Sequence, residues 1–194
     1  MYVRDAKNRD EVWLLDNIEE MALDDVAFRS RDYVIAVDEG SNDRAGFGRI
    51  RVHKVDDTEV CELTGVGVLP AWRGQGVGAH VVERLVETAA DEGFETIYSI
   101  TDQPSYLARF GFEPIASSNL PPKIRDRLSE KRETVQPDAV ATSLDTGGFS
   151  MPTRLREAFK TATPHDPTDE SAVEDAEDFG IDPDNATYKY DTGR

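Results

Sequence analysis

Residues 66–79 read VGVLPAWRGQGVGA, and the fold turns on how this stretch is read. An apolar strand ends at Pro70. Arg73-Gly74-Gln75-Gly76-Val77-Gly78 follows, and an amphipathic helix then runs to about Glu92. Glycines at 74, 76 and 78 allow a tight turn and leave no side chains in front of the backbone N–H groups. Those groups sit at a helix N-terminus, where donors lack intrahelical partners and the dipole is positive. The expected result is a preformed anion site, suited to a pyrophosphate.

Two common phosphate loops do not fit. A Walker loop requires Gly-Lys-Ser/Thr, and Gly78 is followed by Ala79-His80. A dinucleotide fingerprint requires a third glycine three residues after a Gly-x-Gly pair. From Gly76 and Gly78 that position is Val81; from Gly74 and Gly76 it is Ala79, a tolerated variant. That fingerprint opens a first βαβ unit, whereas an antiparallel hairpin precedes this loop.

The hairpin is Arg44–Val55 and Thr58–Leu69, turning on Asp56-Asp57. That turn sets Arg51 opposite Glu62 and Arg49 opposite Thr64. Upstream, residues 2–5 read as a strand and Tyr33–Val37 as another. Residues 10–28 read as a helix from Val12, Leu15, Ile18, Met21 and Leu23, with Asp10 as N-cap. Downstream, helix 77–92 carries Val77, Val81, Val82, Leu85, Val86, Ala89 and Ala90 on one face, and Gly93 stops it. Thr96–Ile100 reads as a strand, Ser105–Phe110 as a short helix and Phe112–Ala116 as a strand. Pro121–Glu133 (helix), Asp138–Leu144 (strand) and Met151–Lys160 (helix, anchored by Leu155 and Phe159) follow. Residues 1–162 are expected to form one domain, with 117–162 as its C-terminal extension. Residues 163–194 hold ten acids, two bases and few aliphatics, and are expected to be a disordered acidic tail.

The chain of 194 residues has a formal net charge of −17, with 39 acids and only 6 lysines beside 16 arginines. Such a surface is of halophilic type, its self-repulsion screened in high salt. It makes nucleic acid and anionic membranes poor partners. The single cysteine, Cys61, forms no intrachain disulfide and reads as a core residue. With no signal peptide or membrane-spanning run, a cytoplasmic location is expected.

The pattern Arg73-x-x-Gly76-x-Gly78 after the Val68-Leu-Pro70 strand end resembles the GCN5-related N-acetyltransferase (GNAT) superfamily. The element order β-α-β-β-β-α-β-α-β over residues 1–116 matches it too. The resemblance implies an α/β (α+β) fold, a mixed, mostly antiparallel central sheet flanked by helices. It implies acetyl-CoA as cosubstrate. The pyrophosphate would lie on Arg73, Gly74, Gln75, Gly76, Val77, Gly78 and Ala79. The pantetheine arm would bond the main chain of Val66 and Val68 along a splayed strand.

Amide formation from a thioester and an amine needs no metal and no covalent nucleophile. In the alternating strand 60–68, Val60, Glu62, Thr64, Val66 and Val68 share one face. A glutamate in a central strand is costly unless paired or useful. Glu62 resembles the general-base glutamate of several acetyltransferases, and Arg51 across the hairpin would instead make it a structural partner. Gly65 and Gly67 suggest a bulge or a close backbone approach. Ser105–Phe112 resembles the family's second cofactor motif, where a tyrosine protonates the leaving thiolate. Leu107 holds the usual place and Tyr106 stands one residue early. Arg49 and Arg51 are candidates for binding an acceptor carboxylate. His53 and His80 read as surface residues. Leu120-Pro-Pro-Lys-Ile124 is similar to short amino-acid N-acetyltransferases of the N-acetylglutamate synthase type, without the aromatic and cysteine pair those carry next. The implied activity is acetyl transfer to a primary amine of a small molecule such as an amino acid. A non-catalytic acyl-CoA-binding module and a protein N-terminal or lysine acetyltransferase remain open, as does a homodimer.

Overall fold

The computed structural model describes residues 1–55 and 57–165. Its strands are β1 (Tyr2–Asp5), β2 (Tyr33–Val37), β3 (Arg44–Val55), β4 (Thr58–Val68), β5 (Thr96–Thr101), β6 (Glu113–Pro114) and β7 (Val140–Asp145). Its helices are α1 (Glu11–Glu20), α2 (Val77–Asp91), α3 (Pro104–Ala108), α4 (Pro122–Thr134) and α5 (Thr153–Lys160). The strands form one sheet in the order β1-β2-β3-β4-β5-β7-β6. Only β4 and β5 run parallel; every other neighbouring pair is antiparallel. A parallel pair needs a long crossover, and α2 supplies it.

Alternation along the strands divides the core between two faces. Val34, Ala36, Cys61, Leu63 and Ile97 pack under the apolar stripe of α2, with Leu107, Leu155 and Phe159 from α3 and α5. On the opposite face, Leu14 and Ile18 of α1 cover Tyr33, Ile35, Val37 and Phe47. There α4 lays Ile124 and Leu128 on Ile100 and Ala141. The mixed, mostly antiparallel sheet between helices is the architecture the sequence implied. Cys61 is buried, and burial pushes its thiol up to about 12. No helix among the described residues is long and apolar enough to cross a membrane.

The β3–β4 register is the one read from the sequence: Arg51 faces Glu62, Arg49 faces Thr64, and Val55 faces Thr58. Asp56, half of the expected turn, lies outside the described residues. Three expectations need correction. Helix α1 ends at Glu20, because Ala22 turns left-handed (φ 51°) and Leu23 N–H bonds back to Ile18 C=O. Its buried face is Leu14 and Ile18, whereas Val12 is 70% exposed. Asp10 stands at the N-cap of α1 as expected, but its side chain makes no bond to that helix; it accepts from the Lys7 N–H in the turn before α1 and from Arg4 and Arg44, which together hold its carboxyl well below the ordinary range against the opposing effect of burial. The expected strand 112–116 shrinks to β6, which reaches the sheet only through β7. Residues 117–162 therefore complete the sheet as well as extending it. The expected disordered tail falls, from residue 166 on, outside the described residues.

Candidate active site

The site exists because β4 and β5 part company. Their parallel pairing lasts from Cys61↔Ile97 to Leu63↔Ser99, and β4 then runs on to Val68 without that neighbour. Gly65 marks the parting. Its φ of +61° and the register shift opposite Phe47–Arg49 make a bulge, as its sequence position suggested. The bulge also breaks the expected alternation. Glu62 and Thr64 face α4, while Val66 and Val68 pack with the α2 core. A cavity of ≈ 750 Å³ fills the wedge between the strands. It lies at the carboxyl ends of parallel strands, the usual ligand position in such sheets.

One end of the cavity is the glycine loop. Gly74 and Gly76 are left-handed (φ 72° and 75°), and Gly76 is the N-cap of α2. The first bond closing the helix runs from His80 N–H to Gly76 C=O at 3.1 Å, so the preceding amides have no helical acceptor. Arg73, Gly74, Gly76, Val77 and Gly78 line the cavity, as do Val66 and Val68. Gln75 and Ala79 do not: Ala79 is core, and Gln75 turns outward to Thr163. Arg73 Nε donates to the Val68 carbonyl at 3.2 Å, tying the loop to the strand end. Orphan amides, a positive helix end and an adjoining guanidinium fit a pyrophosphate.

Tyr106 on α3 also lines the cavity. Its hydroxyl sits 2.6 Å from where a Cβ on residue 78 would be, so Gly78 makes the room for it. The ring stands edge-on to Phe110 (centroids 5.2 Å apart), with Arg109 over its face at 5.1 Å. Leu107, at the family's usual tyrosine position, is in the core.

The far end of the cavity is lined by Glu20–Asp24 at and after the end of α1, by Asp102 and Gln103, and by Lys131, Val135 and Gln136 on and after α4. Behind this wall lies a charged cluster. Glu62 is fully buried and does not line the cavity. His53 Nε2 lies 2.7 Å from its carboxylate, Lys131 Nζ 3.5 Å and Arg127 Nε 3.6 Å. Burial pushes its carboxyl up, but the His53 hydrogen bond and the charges of Lys131 and Arg127 prevail and hold it at about 2. A carboxylate so placed is off the cavity wall and a poor proton acceptor. His53, expected at the surface, is thus a buried partner of Glu62. His80 is half-buried, stacked on Phe159.

Arg49 and Arg51 also differ from expectation. Arg49 is fully buried, lies over Tyr33, and donates to the carbonyls of Val26 (2.9 Å) and Ala27 (3.3 Å), pinning the loop after α1. Arg51 faces Glu62 in register, yet Glu62 takes its ion pairs from α4 and His53. Neither arginine lines the cavity. Burial and the nearby Arg127 lower the pKa of Arg51, and its Nη1 is buried without a hydrogen-bond acceptor among the described residues.

Sequence reasoning missed Asp24, Arg127 and Lys131. Arg127 pairs with Asp24, in the loop after α1, and with Glu130 at 2.6 Å. Lys131 donates to Thr64 Oγ1 at 3.0 Å and Ile100 C=O at 3.3 Å; burial lowers its pKa and Glu62 opposes that. A signal was present. Ile124, Arg127, Leu128 and Lys131 share one buried face of α4, and two cations on such a stripe demand partners.

The profile of the acetyltransferase (GNAT) family matches residues 3–112. An amino-acid acetyltransferase of Mycobacterium tuberculosis is 28% identical over 71 residues, which are 37% of this chain and 41% of that protein. A Mycobacterium tuberculosis protein crystallised with CoA superposes with a TM-score of 0.60 at 20% identity, covering 75% of this chain and 99% of that one. N-acetylglutamate synthase from Neisseria gonorrhoeae, complexed with CoA and N-acetyl-glutamate, superposes with a TM-score of 0.58 at 17% identity, over 73% of this chain and 34% of that one.

Proposed function

Because this chain belongs to the acetyltransferase (GNAT) family, we propose that it transfers the acetyl group of acetyl-CoA to the primary amine of a small amino acid. The observation that carries this reading is the single cavity joining the glycine loop to the charged far end. The loop amides and Arg73 hold the pyrophosphate, and the unpaired edge of β4 at Val66 and Val68 receives the pantetheine amides. The bound ammonium first gives up a proton to water; the freed amine lone pair then attacks the thioester carbonyl carbon, and the C–S bond breaks. Tyr106 gives its hydroxyl proton to the departing thiolate, and the proton lost by the attacking nitrogen returns to Tyr106 through water. Glu62 acts here as a positioning group: it fixes Lys131 and Arg127 behind the acceptor end.

The acceptor end favours a zwitterion. Glu20, Asp24 and Asp102 line it and suit an ammonium, while Lys131 beside them suits a carboxylate. In the wall behind, Arg127 pairs with Asp24, Glu62 and Glu130, and Lys131 with Glu62, so carboxylates hold both cations in place. The names of the relatives, an amino-acid acetyltransferase and N-acetylglutamate synthase, support the same class.

The test is thiol release from acetyl-CoA against a panel of amino acids, their amides and simple amines, in molar KCl. Free amino acids should turn over, and the matching amides, lacking the carboxylate, should lose at least about 10-fold in kcat/KM, the order of one charge-assisted hydrogen-bonded contact. Equal turnover of amides would overturn the carboxylate. CoA binding with no turnover on any amine would turn the protein into a binding module.

A further inference from the structure

The glycine loop is held from outside by a segment that the family profile does not reach. That profile ends at residue 112, and the segment is residues 153–165. Its grip has five parts. The Leu155 carbonyl presses on the loop so closely that a Cβ on Gly76 would lie 2.2 Å from it. Phe159 stacks on His80 at 3.8 Å, and the His80 ring in turn donates to Gly76 C=O at 3.0 Å. Arg156 bonds both carboxylate oxygens of Glu83 on the next turn of α2. His165 N–H donates to Ala71 C=O at 3.0 Å. Finally, the Gln75 amide clasps the main chain of Thr163 in both directions: Nε2 to its carbonyl at 2.9 Å, and its N–H to Oε1 at 2.9 Å.

Gln75 is the only side chain of the Gly74–Gly76 turn, and it points away from the cavity. With left-handed glycines on both sides, the turn has many conformations to choose from when unheld. The clasp fixes the middle of that turn, and so fixes the direction of the amides on either side. Leu155 meanwhile reaches through to the cavity wall.

We propose that residues 153–165 brace the anion loop, that Gln75 is the positioning residue, and that cosubstrate binding and docking of this segment stabilise one another. The ligand here is the CoA of the function proposed above, and the brace rests on that reading. Binding to a loop already ordered costs less conformational entropy than binding to one that must be ordered. By linkage, whatever the brace adds to CoA affinity, CoA adds to the docking of the brace.

The experiment compares the full-length protein with Gln75→Ala. Gln75 is half-buried, and its removal leaves the core intact. CoA affinity by calorimetry should fall about 10-fold, within the usual range of coupling, and KM for acetyl-CoA should rise in step with kcat little changed. In the unaltered protein, CoA should slow hydrogen exchange at the Thr163 and His165 amides, and in Gln75→Ala that protection should shrink. A merely structural clasp would lower the melting temperature without ligand-dependent protection. Equal CoA affinity in the two proteins, or exchange at 163 and 165 indifferent to CoA, overturns the brace while leaving the function standing. Failure of the unaltered protein to bind CoA overturns the function, and the brace with it.

Discussion

Glu62 shows how a residue can be conspicuous in sequence while the partners that set its chemistry stay hidden. A glutamate in a central strand signals something unusual, and its register opposite Arg51 was legible from the hairpin alone. The partners that decide its chemistry, Arg127 and Lys131, come from a helix more than sixty residues on, and no local spacing announces that meeting. Buried with three cationic or hydrogen-bonding partners, Glu62 contributes to stability first. Glu62→Gln removes the carboxylate charge beside Lys131 and one of the three paired with Arg127, and should cost about 3–5 kcal/mol in denaturant unfolding at pH 7, the usual cost of breaking a buried pair. The pH dependence has a definite sign. Its carboxyl lies at about 2 in the fold against 4.5 unperturbed, so its contribution is complete above pH 4.5 and is lost as pH falls toward 2. The gap between the two proteins should close over that window. A Glu62→Gln protein of undiminished stability but lost turnover would restore the glutamate as a base.

Among the elements, β3, β4 and α2 were the most legible, since a two-residue turn fixes register and a long apolar stripe fixes a helix face. The end of α1 was not, because Ala22 and Ala27 adopt positive φ without the glycine that would have signalled it. In β4 the expected bulge was found, but its effect on the strand's two faces was not foreseen. An extra residue in a period-two strand reverses every side chain beyond it. Gly65 has space around it, with Tyr33 Oη the nearest atom to an added Cβ at 3.7 Å. Gly65→Ala therefore meets only the backbone penalty of left-handed φ, about 1–2 kcal/mol. Chemical denaturation should show that loss with an unchanged slope. If the bulge instead relaxes, the slope or the CoA affinity will change, since Val66 and Val68 sit just beyond it.

For the whole molecule, charge and chain length set the terms. Ten acids and two bases lie beyond His165, and ending the chain there takes the formal charge from −17 to −9. Such a stretch offers little apolar surface to offset its ordering. A chain ending at His165 should melt within a few degrees of the full chain in the same salt. One ending at Ala162 should bind CoA more weakly, having lost both main-chain partners of the brace. Equal CoA affinity in the two would count against the clasp. The short seam between β4 and β5 bears on how this molecule would come apart. Three residue pairs, the Ser99 Oγ–Leu63 C=O bond and the Lys131 bridge from Thr64 to Ile100 join β1–β4 to β5–β7–β6. Mechanically these are two plates riveted at one edge, with α2 as the strap across the joint. Under tension or mild denaturant, the rivets at Ile97 and Ser99 should give before either plate tears, and a ligand wedged in the open side would then serve as mortar.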